Sequence, residues 1–129
     1  MGQIKIYGLK EKLNPIKASL SDAIHSCLVD AFEFPPNKRF HRFFPMEEDD
    51  FHYDLSRSSA YTIVEISIFE GRNLDTKKKL IQLLFNRLED QLQLSPHDVE
   101  ITIFETPKQN WGIRGLPGDE LSLDYKVDL

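Results

Sequence analysis

One structural phrase is written twice in this chain, and the doubling limits the available folds more than any other feature. Each copy reads as an alternating strand, a glycine-marked turn, an amphipathic helix, a proline-marked break and a second strand. In the first copy Ile4 and Ile6 share one side of a strand that ends at Gly8. A helix from about Asn14 to Glu33, the pair Pro35-Pro36 and a strand over Arg39–Phe44 follow. In the second copy Tyr61–Phe69 is the strand, Gly71 the turn, Asp75 to about Gln93 the helix and Val99–Glu105 the closing strand, after Ser95-Pro96. Two strand–helix–strand units of roughly 60 residues fit one sheet, with both helices on one face. Because the first strand opens at about Gly2, the chain's own amino group is expected inside the fold.

Apolar spacing supports both helices. Leu20, Ala23, Ile24, Cys27, Leu28 and Ala31 recur at threes and fours, as do Leu80, Ile81, Leu84, Phe85, Leu88 and Leu92. Asn14 with Pro15, and Asp75, are the expected N-terminal caps. Lys77, Lys78 and Lys79 crowd the first turn of the second helix, where the macrodipole disfavours cations; a solvated face or a local need for positive potential explains them. Val64, Ile66 and Ile68, and Val99, Ile101 and Ile103, should pack beneath the helices. The reverse faces carry Tyr61, Ile63, Glu65, Ser67 and Phe69, then Glu100, Thr102 and Phe104. That mixture predicts contact between the sheets of neighbouring chains.

With 129 residues and 40% hydrophobic content, a single domain over 1–129 is expected, with pseudo-repeats at about 1–45 and 60–106 and a tail at 107–129. A core of that size needs neither disulfide nor metal. Cys27 lies in an apolar helix stripe, which predicts core packing and a reducing, cytoplasmic setting. No apolar run approaches the roughly 20 residues of a membrane span, and no signal peptide is read. Met1-Gly2 opens like a myristoylation site, but Ile6 stands where Ser or Thr is required. Sixteen Lys and Arg against 21 Asp and Glu leave a net charge of −5, which argues against a nucleic-acid partner.

The four histidines, His25, His41, His52 and His97, show no metal-ligand spacing, and no metal or other cofactor is expected. His25 is placed on the polar side of its helix. Asp98 and Glu100 flank a strand start without forming a catalytic carboxylate pair. No serine sits in a nucleophile elbow, and no glycine-rich phosphate loop follows a strand. The acidic run Glu47–Asp50 reads as a solvated loop. Gly112, Gly115 and Gly118 permit turns in the tail, and Leu121–Val127 is a candidate last strand.

Periodicity alone leaves two homes for this pattern, a ferredoxin-like sandwich and a pair of halves related by a pseudo-twofold axis. Motifs separate them. D-A-F-E-F-P-P-N-K-R (Asp30–Arg39), R-S-S-A (Arg57–Ala60), E-G-R (Glu70–Arg72), S-P-H-D-V (Ser95–Val99) and N-W-G-I-R-G (Asn110–Gly115) together resemble the tautomerase superfamily, especially its malonate semialdehyde decarboxylase branch. The resemblance covers essentially the whole chain. It implies an α+β fold, a four-stranded mixed sheet built from tandem β-α-β units with two helices on one face. It also implies a homotrimer.

The family's chemistry rests on an amino-terminal proline, exposed by removal of the initiator Met, whose amine moves a proton on a keto or enol acid. An α-amine suits this because its reference pKa of about 7.7–8.0 lies near neutrality. Arginines bind the substrate carboxylate through the planar guanidinium fork. Here residue 2 is Gly2, Lys38 takes the register position of an acidic residue, and an arginine pair is replaced by Glu70 and Arg72. Carried over residue by residue, the resemblance marks Gly2 and Arg72 as catalytic, and Lys38, Trp111 and Arg114 as substrate-binding. Two readings follow: a keto–enol tautomerase acting on a small carboxylate-bearing acid, or a non-catalytic homotrimer that lost the proline-dependent chemistry.

Overall fold

The computed structural model describes residues 2–123 and 126–129. Strand β1 (Gln3–Leu9) is followed by a short helix α1 (Lys10–Leu13), a 3-10 turn over Asn14–Ile16 and the helix α2 (Lys17–Phe32). Strands β2 (His41–Met46) and β3 (Thr62–Phe69), helix α3 (Leu74–Leu92) and strand β4 (Val99–Thr106) complete the main sheet and its cover. The strand order is β2-β1-β3-β4. The two outer pairings are parallel and the central β1–β3 pairing is antiparallel.

The register carries the duplication down to single residues. Ile4 pairs with His41 across the first parallel seam, and Val64 with Ile101, each 60 positions later, across the second. In the antiparallel seam Ile4 faces Ile66, Ile6 faces Val64, and Lys5 faces Glu65, its own counterpart. A pseudo-twofold axis therefore passes through the Lys5–Glu65 pair. Both helices also end alike. Glu33 and Gln93 each adopt a left-handed conformation with φ of 56°, and each donates its N–H back to a carbonyl of the last helical turn. After them Phe34 N–H bonds Leu28 O and Leu94 N–H bonds Leu88 O.

Alternation along the strands places the core. Ile4, Ile6, Val64, Ile66 and Ile68 are buried against Leu20, Ile24 and Leu28 of α2 and Leu80, Leu84 and Leu88 of α3, with Ile101 and Ile103 packed at the margin. Each fully buried Leu or Ile contributes about 1.5–3 kcal/mol of transfer free energy. Cys27 belongs to this core, and burial pushes its thiol pKa up. Arg87 ties the two helices together by donating to Ser26 Oγ at 3.0 Å and pairing with Asp30.

Several local expectations are corrected. Asn14 does not cap the first helix, because helical backbone begins at Lys10 and buried Leu13 holds that turn on the core. Pro15 lacks the N–H of an α-helical bond, and the chain tightens into a 3-10 turn there before α2 starts. The cap of α3 is Asn73, whose Oδ1 accepts from Thr76 N at 2.8 Å; Asp75 falls in the first turn, where the dipole favours a carboxylate. Strand β2 begins two residues later than expected, at His41, and Arg39 ahead of it pairs with Asp22 at 2.6 Å. It then runs through Pro45, tolerated on an edge strand. His25 is only 4% exposed rather than on a polar face, with Nε2 3.0 Å from Pro36 O.

Loop 47–60 is pinned where two of the sequence motifs meet. Buried Asp98 accepts from Ser58 N at 2.7 Å and Ser58 Oγ at 2.6 Å. Glu100 pairs with Arg57 at 3.1 Å, so the two carboxylates hold adjacent residues of one loop instead of forming a pair. Phe51, Tyr53 and Tyr61 cluster with ring centroids 5.4–5.6 Å apart and anchor the loop's other end. Burial, then the Glu100 carboxylate, pushes the Tyr61 hydroxyl up to about 12. Replacing Asp98 with Ala removes a charged acceptor from two donors. The expected loss is roughly 1.5–3 kcal/mol in urea unfolding, with Asp98→Asn falling between it and the parent.

Candidate active site

Topology gathers the site at one end of the sheet. Because β1 is antiparallel to β3, Gln3 lies beside Ser67, and Phe69 at the end of β3 pairs with Thr106 at the end of β4. The tail leaving β4 therefore emerges where β1 begins. A 3-10 turn over Lys108–Asn110 delivers Trp111, which packs edge-on against Phe69 at 5.2 Å and donates Nε1–H to Thr106 Oγ1. Next comes a hairpin of β5 (Gly112–Ile113) and β6 (Leu116–Pro117). Its two-residue turn has φ of 51° at Arg114 and 84° at Gly115, the signature of a type I′ turn. Gly118 closes the loop: its N–H donates to Trp111 O at 2.8 Å, and a Cβ there would lie 2.3 Å from Lys108 O.

This packing leaves a cleft of about 300 Å³ lined by Gln3, Phe40, Trp111, Gly112, Ile113 and Arg114. Its walls are apolar, and Arg114 is an exposed cation at its rim. A neighbouring cleft of about 340 Å³ shares Gln3 and Phe40 and adds Arg39, His41 and Arg42. Arg42 donates to Gln3 Oε1 at 3.0 Å.

Gly2 precedes the cleft residue Gln3 in the chain. On the helix side of the sheet the Phe34 ring stands where a Cβ on Gly2 would point, and the Arg72 guanidinium lies 5.5 Å from that ring's centroid and 4.7 Å from that of Phe32. Arg72 is 5% exposed and donates to Phe69 O at 3.1 Å. The turn before it is covered: Gly71 has φ of 138°, and a Cβ there would lie 2.8 Å from Val127 O. Thr76 Oγ1 donates to Leu129 O at 2.6 Å, which fixes the returning tail at the start of α3. Lys77 pairs with Glu105 at 2.8 Å, while Lys78 and Lys79 are exposed. Lys38 is half-buried in the turn between Phe34 and Phe40, its N–H bonded to Pro35 O at 3.1 Å. The candidate strand Leu121–Val127 includes Asp124 and Tyr125, which lie outside the described residues, and its remaining residues are not in a strand.

Of the five residues marked from sequence, Trp111 and Arg114 line the cleft with Gln3, Gly2 and Arg72 lie about the Phe34 ring, and Lys38 sits in the turn before Phe40. Gln3, Phe40 and Phe34 were missed. For Phe40 the signal was present, since it shares the alternating set of Arg42 and Phe44 on the reverse face. Among the described residues no three His, Cys, Asp or Glu are placed to hold a metal ion, and no helix is long and apolar enough to cross a membrane.

Residues 38–114 match the sequence pattern of Tautomerase_2, a family of tautomerase enzymes. The chain belongs to the tautomerase family. Its relatives include a 2-hydroxymuconate tautomerase from Comamonas testosteroni, 33% identical over 57 residues, and one from Pseudomonas putida, 35% identical over 57 residues. Each match spans 90% of the relative but 44% of this chain, so one such relative has about the length of one internal copy. Among solved structures, a malonate semialdehyde decarboxylase superimposes with a TM-score of 0.79 and 26% identity, covering 92% of this chain and 99% of that one. A fused 4-OT described as a symmetric trimer gives 0.78 at 19% identity, covering 91% and 96%, and shares the fold.

The second cleft carries a pH dependence of its own. His41 Nδ1 lies 2.8 Å from Ser21 Oγ, which also accepts from Arg39. Burial, then the Arg39 and His25 charges, lower its pKa to about 4, against the partial opposition of Asp22. An unfolded His41 titrates near 6.5, so between about 6.5 and 4 the unfolded chain binds the extra proton. Stability from this group is complete above pH 6.5 and is lost as pH falls toward 4. Urea midpoints should therefore drop less between pH 7 and 4.5 for His41→Asn than for the parent.

Proposed function

We propose that this tautomerase-family protein is a keto–enol tautomerase acting on a small acid that bears a carboxylate. The observation that carries the reading is the apolar cleft at the start of β1, with Trp111 as a wall and the Arg114 guanidinium at its rim. Such a site orients a planar enol against an aromatic face while a guanidinium fork holds the carboxylate. The residue-2 amine, exposed once Met1 is removed, is the group that carries the proton between oxygen and carbon. An α-amine titrates near neutrality and serves as base in one direction and acid in the other. In this reading Arg114 meets the substrate carboxylate directly, Arg72 supplies positive potential from behind Phe34, and Lys38 adds a second cation beside the cleft.

The same reading includes a homotrimer. The sheet face opposite the helices leaves Phe40, Phe44 and Phe104 at 50%, 40% and 46% exposure, around a polar row in which Tyr7 donates to Glu65 at 2.6 Å. Exposed aromatics at this density call for a cover, and three copies with these faces turned toward a common threefold axis provide one. Sedimentation equilibrium is expected to give three chains per particle, and Phe44→Lys with Phe104→Lys to shift it toward the monomer.

A second reading has its own support. Arg72 is committed to Phe69 O and to two aromatic rings, and residue 2 is not proline. Both fit a binding protein that retained the fold without the proton transfer. Ketonisation of phenylenolpyruvate, measured on protein whose amino terminus is defined by mass spectrometry, separates the two. Arg114→Ala is expected to raise KM about 10- to 100-fold with a smaller change in kcat, as loss of a charge-assisted hydrogen bond predicts. No turnover from protein beginning at residue 2 would decide for the binding reading.

A further inference from the structure

A Cβ built on Gly2 would lie 2.7 Å from Cε2 and 2.9 Å from Cζ of Phe34, and 3.5 Å from Cγ2 of Ile68. Carbon contacts are comfortable from about 3.5 Å outward, so the Phe34 ring stands where a side chain on residue 2 would be. The ring has little room to step aside. Phe34 is 7% exposed, its ring lies edge-on to Phe32 at 6.0 Å and faces the Arg72 guanidinium, and its backbone N–H is bonded to Leu28 O. Backbone conformation does not demand glycine here, because Gly2 is not among the positive-φ glycines. Space does.

The internal duplication supplies a comparison. Sixty positions on, Gly2 corresponds to Thr62 and Phe34 to Leu94, both buried. A large ring with no side chain opposite in one copy becomes a smaller leucine with a threonine opposite in the other. Volume is traded across the same pair of positions, as close packing requires.

We propose that Gly2 and Phe34 form one coupled pair, in which Phe34 is a positioning residue that excludes proline, and any side chain, from residue 2. The amine offered at the start of β1 is thereby restricted to a primary one, free of a ring that would fix its direction. This deepens the keto–enol reading and rests on it for the chemistry, whereas the steric coupling is measurable without it.

The test is a double-substitution cycle. Thermal midpoints of the parent, G2A, F34V and G2A/F34V are compared; G2A should lower the midpoint in the parent and by less than half as much in F34V. Equal losses in both backgrounds overturn the pairing. G2P and G2P/F34V, released from a cleavable fusion so that residue 2 comes first, are then assayed on phenylenolpyruvate across pH 5–9. A tenfold or greater gain in kcat/KM, with a shifted pH profile, is expected only in the double variant. The same gain in G2P alone overturns the exclusion of proline. Coupled midpoints with no turnover by any variant would uphold the steric pair and overturn the primary-amine role together with the tautomerase reading.

Discussion

The antiparallel seam between β1 and β3 holds the architecture together. Each strand–helix–strand copy is a parallel pair with one helix on one face, and alone it leaves a strand edge and an apolar helix flank uncovered. Joining the copies through β1 and β3 removes both inner edges and brings α2 against α3 over one continuous apolar layer. The Lys5–Glu65 pair at the axis places opposite charges across the strands. A one-residue slip would exchange the faces of Ile4 and Ile6 with those of Lys5 and Tyr7, so the seam also fixes the register.

The position of the candidate site follows from that seam. An antiparallel centre flanked by parallel pairs puts the beginning of β1 and β2 at the same end as the finish of β3 and β4. Residues far apart in sequence, from Gln3 to Arg114, meet there without any long excursion of the chain. The tail then contributes through two economical devices, a 3-10 turn that seats Trp111 on Phe69 and a type I′ turn that lifts Arg114 over the cleft. An arginine with φ of 51° is held against its own preference, at a cost of about 1–3 kcal/mol.

Much of this was legible in the residues. Strand alternation and helix spacing identify four strands and two helices because burial imposes periods of 2 and 3.6 directly on the apolar positions. The Ser58–Asp98 contact gives two of the family motifs, Arg57–Ala60 and Ser95–Val99, a physical reason. Boundaries were less legible. Asn14 and Asp75 have the chemistry of caps, but Leu13 burial and the Asn73 side chain decide the outcome, and both are tertiary facts. The burial of His25 depends on the Pro36 carbonyl, eleven residues away in a break with no periodicity. Phe34 escaped notice because its importance lies in what residue 2 lacks.

The pseudo-twofold axis makes the starts of β1 and β3 equivalent corners of the fold. Thr62 occupies the place in the second copy that Gly2 occupies in the first, and its nitrogen is acylated by Tyr61 as that of Gly2 is by Met1, with the lone pair delocalised into the peptide plane. An amide nitrogen of that kind is not a base. On the proposed reading, removal of Met1 can free an amine in the first copy alone, while the equivalent corner of the second serves the fold through the Thr62 hydroxyl, which donates to Ala60 O at 2.8 Å.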